Sequence, residues 1–122
     1  MSAVIIGFIL RSKNRHITDR YYRALGLYTH EHAHGKGPLH FEVRPLTELP
    51  VVEIYEASEK YQSDALMLSV TSLEEASKLS IAYLGTGITE IIVSSTGRGR
   101  FAYVKDPDGR NVMLIEETKG HV

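Results

Sequence analysis

The side chains that could do chemistry in this chain are imidazoles and carboxylates, because the sequence contains no cysteine. The absence of thiols excludes disulfides, thiolate zinc sites and cysteine nucleophiles. His30, His32 and His34 alternate, and neighbouring imidazoles are ligands that zinc, nickel or copper accept. Side chains two apart on one strand face lie about 7 Å apart, however. The pattern therefore favours a partly exposed edge strand over a metal site.

Glu53 and His40 are the other candidates. Glu53 lies in Val51–Ala57, a stretch that is typical of a strand. It either orients a ligand or accepts a proton, with its pKa raised by apolar neighbours, or it pairs with Arg11 or Arg44 in a solvated cavity. His40 also leaves two interpretations open, a role in a pocket or a packed, hydrogen-bonded histidine.

The remaining motifs predict little chemistry. Gly97-Arg98-Gly99-Arg100 lacks the spacing of a phosphate-binding loop, and no helix follows it, so a hairpin turn is favoured. Arg98 could still attract an anionic group at the edge of a pocket. We find no convincing Ser-His-Asp arrangement, although residues distant in sequence can converge in space.

Composition limits the partners of this 122-residue chain. Its net charge is −1 and it has no basic block, which argues against nucleic acid or an anionic membrane surface as a partner. Val4–Leu10 is apolar but much shorter than the roughly 20 residues that span a bilayer. It also lacks a basic leader and a cleavage site, so no signal peptide is predicted and a cytoplasmic location is expected.

The first half of the chain predicts the order β-α-β-β-β. The β-branched run Ala3–Leu10 is typical of a strand covered on both faces. A helix follows, in which Ile17, Tyr21 and Leu25 recur at four-residue spacing and Gly26 marks the end. Three further strands are predicted at Tyr28–His34, Leu39–Arg44 and Val51–Ala57.

The second half predicts the same order. After a strand at Ala65–Val70, Ser72-Leu73-Glu74-Glu75 matches a capping box at a helix start. Leu73, Ala76, Leu79 and Tyr83 are expected to form the buried stripe of this helix, which ends at Gly85. Strands are predicted at Ile88–Ser94, Arg100–Val104 and Asn111–Ile115.

The last two predicted strands are joined by Asp106-Pro107-Asp108-Gly109. Pro107 presets φ for a turn, Asp106 can accept backbone hydrogen bonds, and Gly109 tolerates positive φ, so the segment predicts a β-hairpin. The repeated order indicates one domain, residues 1–122, built from two units at approximately 1–57 and 64–117.

With these motifs in this order, the chain resembles the vicinal oxygen chelate superfamily, which includes glyoxalase I, extradiol dioxygenases and bleomycin-resistance proteins. The family's first helix end is matched by Tyr21–Leu27, its second helix start by Ser72–Ala76, and its strand–DPDG–strand segment by Phe101–Leu114. Two further motifs are similar to HGxGPxHY, at His34–Phe41, and to EIY, at Val52–Tyr55. The resemblance implies an α+β fold in which two tandem βαβββ units form a curved mixed sheet with a concave pocket.

The family's enzymes hold a divalent metal with one ligand from the first and last strand of each unit. Carried over residue by residue, these positions read Gly7, Glu53, Ala65 and Met113, of which only Glu53 offers a donor. The resemblance therefore points to a branch that binds no metal and needs no cofactor. It implies a metal-independent protein of the bleomycin-resistance type, a homodimer that binds a drug or metabolite without changing it.

Two alternatives remain. The first is a metal-dependent, glyoxalase-like lyase, isomerase or dioxygenase, with the metal recruited by Glu53 together with His34 or His40. The second is a degenerate domain kept for contact with another protein. Under the first-choice interpretation, Glu53 is the one candidate for catalysis, and the expected ligand-binding residues are Glu53, Tyr55, His40, Arg11, Met67, Tyr103, Asn111 and Met113.

Overall fold

The computed structural model describes residues 1–44, 50–93 and 99–116. The chain forms two compact units. Gly7–Asp64 forms one, here called the N-terminal unit. Met1–Ile6 together with Ala65–Val122 forms the other, the C-terminal unit.

The N-terminal unit has the predicted β-α-β-β-β order. Its strands lie side by side in the order β2-β3-β4-β1. The pairing of β1 with β4 is parallel, and the other two pairings are antiparallel. The elements are β1 (Ala3–Ser12, which enters this unit at Gly7), α1 (Arg15–Ala24), β2 (Tyr28–His32), β3 (His40–Arg44) and β4 (Val51–Glu56).

The C-terminal unit repeats this arrangement. Its strands follow the order β5-β8-β7-β6, with β5 parallel to β8 and the remaining pairs antiparallel. The elements are β5 (Ala65–Val70), α2 (Leu73–Ala82), β6 (Ile92–Val93), β7 (Arg100–Lys105) and β8 (Asn111–Glu116). The α+β class with two βαβββ units of mixed strands is thus confirmed. In the described residues β6 is much shorter than predicted, and the turn predicted at Gly97 and Arg98 lies outside them.

Local sequence explains where both helices begin. The Asn14 side chain accepts hydrogen bonds from the backbone N–H groups of His16 and Ile17 at 3.0 and 3.3 Å. Ser72 caps α2 in the predicted way, because its hydroxyl accepts from the Glu75 N–H at 3.1 Å. Each cap satisfies N–H groups that have no partner within the helix.

The hairpin turn between β7 and β8 forms as its residues predict. One carboxylate oxygen of Asp106 accepts from the backbone N–H groups of Asp108 and Arg110, each at 2.9 Å. Gly109 has a φ of +83° and donates its N–H to the Asp106 carbonyl at 2.9 Å. The turn needs a residue that adopts positive φ without strain.

The core of the C-terminal unit lies between α2 and its sheet. Leu73 and Ala76 on α2 are buried as predicted, but Leu79 and Tyr83 are exposed, so the predicted stripe is half wrong. The helix is ten residues long and ends at Ala82, so Tyr83 lies at its C-cap rather than within it. The buried cluster consists of Val70, Leu73, Ala76, Ala102, Val104 and Leu114.

The apolar spacing on α1 does not mark a buried face. Ile17, Tyr21 and Leu25 are 61 %, 60 % and 66 % exposed, respectively. The residue that α1 buries is Asp19, whose carboxylate accepts a hydrogen bond from the Thr29 hydroxyl and pairs with Arg23 at 3.1 Å. A polar network therefore attaches this helix to β2.

β1 is not covered on both faces as predicted. The side chains of Val4, Ile5 and Phe8 are exposed, whereas Gly7 and Ile9 are buried. Its apolar run therefore presents hydrophobic surface to solvent in a single chain. Neither described helix has the length and hydrophobicity that a crossing of the bilayer requires.

Candidate metal centre

Two rows of side chains cross the four strands of the N-terminal unit on one sheet face. Residues paired across neighbouring strands point the same way, and alternate residues of one strand share a face. Cross-strand neighbours lie only about 4.5–5.5 Å apart, closer than alternate residues of one strand. The pairings give one row of His30, Glu42, Glu53 and Ile9, and a second row of His32, His40, Tyr55 and Arg11.

At the centre of these rows, four side chains form a closed ring of alternating imidazoles and carboxylates, here called the His–Glu ring. Nε2 of His34 lies 3.2 Å from Oε1 of Glu42 and 3.1 Å from Oε2 of Glu53. Nε2 of His40 lies 3.2 Å from the same Glu42 oxygen and 2.9 Å from the same Glu53 oxygen. One donor atom from each of the four residues thus lies within 4.8 Å of all the others.

Three of the four members come from strands, and the fourth comes from a loop. His34 lies just after β2, and the chain turns back there because the Gly37 N–H donates to the His34 carbonyl at 2.9 Å. Gly35 has a φ of +59° in this turn, a conformation that side chains with a Cβ adopt at a cost. The segment His34-Gly35-Lys36-Gly37 thereby carries the His34 imidazole to Glu42 and Glu53.

The outer nitrogen of each ring histidine has a partner. Nδ1 of His40 lies 3.2 Å from the Pro38 carbonyl oxygen, so it carries a proton and leaves Nε2 facing the carboxylates. Nδ1 of His34 lies 3.2 Å from Nε2 of His32. Histidines that bind metals almost always use their second nitrogen in this way, because the bond fixes the tautomer and the ring orientation.

Three of the four ring members are almost completely buried. His40, Glu42 and Glu53 are 0 %, 8 % and 6 % exposed. Two buried carboxylates need compensating positive charge, since an uncompensated buried charge costs several kcal/mol. A proton shared with the imidazoles can supply this charge, and so can a cation.

The pKa shifts follow from this arrangement. Burial raises the pKa of Glu53, but hydrogen bonds and charge interactions with His40 and His34 outweigh it and lower the pKa to about 2. The expectation that apolar neighbours raise this pKa is therefore wrong. Burial lowers the pKa of His40, yet its bonds to Glu53, the Pro38 carbonyl and Glu42 leave it raised. Burial also lowers the pKa of His32, against the attraction of Glu42.

The ring suits a divalent transition metal. Adjacent ligands of an octahedral ion with bonds of about 2.1 Å lie about 3.0 Å apart, close to the four observed separations. Imidazole nitrogen together with carboxylate oxygen is a donor set that zinc, nickel, iron and manganese accept. Binding of the ion would displace the protons that the imidazoles otherwise hold between the carboxylates.

Four of the predicted site residues lie together on this face. Glu53 and His40 belong to the ring, and Tyr55 stacks on His40 with ring centroids 4.2 Å apart. The Arg11 guanidinium lies over Tyr55 at 4.7 Å. Glu53 pairs with His40 and His34 rather than with Arg11, and the side chain of Arg44 lies outside the described residues.

The other four predicted ligand-binding residues belong to the C-terminal unit. Met67 on β5, Met113 on β8 and Tyr103 on β7 are paired in register across three neighbouring strands. Asn111 is paired with Ala65 on β5. Met67 is buried, and the side chains of Met113, Tyr103 and Asn111 are half-buried.

The sequence interpretation missed Glu42 and assigned His34 only to an alternative. The signal was present in the two predicted strands Leu39–Arg44 and Val51–Ala57. An antiparallel pairing that places Glu42 opposite Glu53 also places His40 opposite Tyr55. Distances along one strand argued against a metal site, whereas the ring is assembled across strands and through a loop.

Solved structures with the same fold were found by comparison. A hypothetical protein from Bacillus halodurans C-125 matches 100 % of this chain and 99 % of its own, with a TM-score of 0.64 and 12 % identity. A catechol 2,3-dioxygenase matches 93 % of this chain with a TM-score of 0.57 and 17 % identity, and this chain spans 41 % of that enzyme. No protein-family model matches the chain, and no curated protein matches it significantly.

A member of the glyoxalase/bleomycin resistance protein/dioxygenase superfamily from Sphaerobacter thermophilus DSM 20745 also aligns. It covers 96 % of this chain and 99 % of its own at 20 % identity, but its TM-score of 0.39 is too low to support an argument. At 12 % and 17 % identity, the likeness to the first two structures shows a shared fold and no more. At these identities the activity of a neighbour does not extend to this chain.

Proposed function

We propose that this chain is a metal-dependent protein that binds a small molecule through oxygen atoms, with the metal held by His34, His40, Glu42 and Glu53. The observation that carries the proposal is the closed His–Glu ring, with its four separations of 2.9–3.2 Å. A divalent ion bound there supplies a Lewis acid that polarises oxygen atoms of the ligand.

The residues around the ring support this role in distinct ways. His40 and Glu53 lie on neighbouring strands and are fixed by the sheet, so their donor atoms are held in place before an ion arrives. His32 and the Pro38 carbonyl orient the two imidazoles. Tyr55 covers one face of the His40 ring and limits its rotation.

The proposal takes up the metal-dependent alternative from the sequence in preference to the metal-independent carrier. A carrier of drugs or metabolites has no need for two buried carboxylates around two imidazoles. That interpretation rested on Glu53 as the one donor among the four family positions, whereas the ring carries two acids and two bases within 4.8 Å. The expected homodimer and cytoplasmic location stay predictions.

Metal analysis of untagged protein tests the proposal. Wild-type protein is expected to retain about one divalent transition metal per chain after gel filtration, because four preorganised ligands bind tightly. Glu53→Gln keeps the shape of the side chain but removes its charge, and it is expected to lower the affinity by well over tenfold in calorimetric titrations with Zn²⁺ or Ni²⁺.

The matched control is His30→Ala, which removes an exposed imidazole from the same sheet face outside the ring. It is expected to bind metal like the wild type. Wild-type protein that binds none of Zn²⁺, Ni²⁺, Fe²⁺ or Mn²⁺ in the micromolar range would exclude the proposal. Equal affinities of Glu53→Gln and wild type would exclude the site even if the protein binds metal elsewhere.

A further inference from the structure

Beyond the His–Glu ring, the same sheet face carries a stack of side chains that includes an arginine. The Arg11 guanidinium lies 4.7 Å from the Tyr55 ring centroid and 4.9 Å from that of Tyr61. Tyr55 stands between Arg11 and His40, because β4 lies between β1 and β3. The stack therefore runs from Tyr61 through Arg11 and Tyr55 to a member of the ring.

Among the residues that the structure describes, no acidic side chain forms an ion pair with this guanidinium. Within residues 1–44, 50–93 and 99–116, its recorded contacts are the faces of the two tyrosine rings. The nearby carboxylate of Asp64 accepts from the backbone N–H of Arg11 at 2.8 Å instead. A guanidinium over an aromatic ring can still donate the N–H groups in its plane to an acceptor.

The charges on this face also favour an anion at Arg11. With neutral imidazoles, a divalent ion offsets the two carboxylates of the ring. Arg11 then supplies positive charge next to the ring. It is half-buried, which strengthens its attraction for an anion while leaving it within reach of a ligand.

We propose that Arg11 binds an anionic group of the metal-coordinated ligand, so that the ligand is a small oxygen chelator carrying a carboxylate. This inference rests on the proposed function. Arg11 on β1 and His40 on β3 are separated by one strand, which places them about 9–10 Å apart. A planar chelator can lie over that distance along the Tyr55 ring, with its oxygen pair at the metal and its carboxylate at the guanidinium.

A pair of chelators that differ only in the carboxylate tests the inference. Zn²⁺-loaded protein is titrated with catechol and with 3,4-dihydroxybenzoate, since Zn²⁺ undergoes no redox reaction with either compound. Wild-type protein is expected to bind 3,4-dihydroxybenzoate about 10–100-fold more tightly, the usual gain from a hydrogen bond to a charged group. Arg11→Gln is expected to lose this preference, so that the ratio of its affinities for the two chelators falls to about one.

Two further variants make the result specific. Arg11→Lys keeps the charge but loses the planar fork, and it is expected to show an intermediate preference. Arg20→Gln removes an exposed arginine of α1 and is expected to behave like the wild type. Melting temperatures measured on the same samples identify any variant that has lost its fold.

The outcomes separate this inference from the proposed function. Zn²⁺-loaded wild type that binds both chelators equally, or neither, overturns the role of Arg11 but leaves the metal centre standing. A full preference in Arg11→Gln overturns it as well. A chain that takes up no Zn²⁺ overturns the proposed function and this inference with it.

Discussion

At the scale of single residues, the chemistry of the His–Glu ring depends on which nitrogen of each histidine carries the proton. The Pro38 carbonyl assigns the proton of His40 to Nδ1, and this bond cannot be removed by a side-chain substitution at residue 38. His34 is held by another side chain, the imidazole of His32. The two ligands are therefore oriented by partners of different kinds, and only the second can be tested by a simple truncation.

His32→Ala is expected to weaken metal binding by about 10–100-fold without abolishing it, because it removes an orienting partner and keeps all four ligands. Metal affinity measured by calorimetry checks this value, with His30→Ala as the control on the same strand. An affinity equal to that of wild type would show that His34 is held in place by its loop alone. Complete loss would instead make His32 a ligand.

At the scale of elements, the ring requires a hairpin and a loop of defined shape. β3 and β4 align His40 and Glu42 with Glu53 through ordinary antiparallel pairing. The connection from β2 to β3 must turn back over the sheet to deliver His34, and Gly35 adopts positive φ at this point. The loop carries one ligand, and the strands carry the other three.

Gly35→Ala is therefore expected to reduce metal affinity by more than tenfold, since a Cβ in the left-handed region costs about 1–2 kcal/mol that the loop can relieve by shifting His34. Gly35→Asn is expected to recover most of the affinity, because Asn tolerates this conformation. Gly109→Ala is the matched control, with a φ of +83° in a turn of the other unit. Equal losses of affinity in Gly35→Ala and Gly109→Ala would contradict the role of the loop.

At the scale of the whole molecule, both α1 and β1 expose large apolar side chains. The exposed face of α1 is formed by Ile17, Tyr21 and Leu25, and β1 exposes Val4, Ile5 and Phe8. A second copy of the chain would cover such surface, which is consistent with the homodimer expected from the sequence.

Light scattering coupled to gel filtration is expected to give twice the mass of one chain. Tyr21→Glu is expected to shift the equilibrium to monomer, because it places a charge in the apolar face of α1. Arg20→Gln changes the net charge by the same amount on the neighbouring residue and is expected to stay dimeric. A monomeric wild type would refute the homodimer, and a dimeric Tyr21→Glu would place the interface away from α1.

The sequence predicted features that depend on neighbouring residues in the chain, but it did not predict which helix faces are buried. Asn14 and Ser72 at the helix starts, and Asp106 with Gly109 in the last turn, act on residues close by in the chain. The predictions made from Ser72, Asp106 and Gly109 are confirmed for that reason. The apolar spacing of α1 and the second half of α2 predicted buried faces that the structure exposes, since burial depends on what packs against a helix rather than on spacing alone.

By itself, the sequence determined the order of the strands and helices along the chain and the two-unit α+β fold, and it identified Glu53 and His40 as candidates. Only the tertiary structure decided which side chains surround these two residues. Glu42 and His34 join them through strand pairing and through a loop that turns back over the sheet, and neither step follows from spacing along the chain. Four donors form one ring because cross-strand neighbours lie closer together than alternate residues of a single strand.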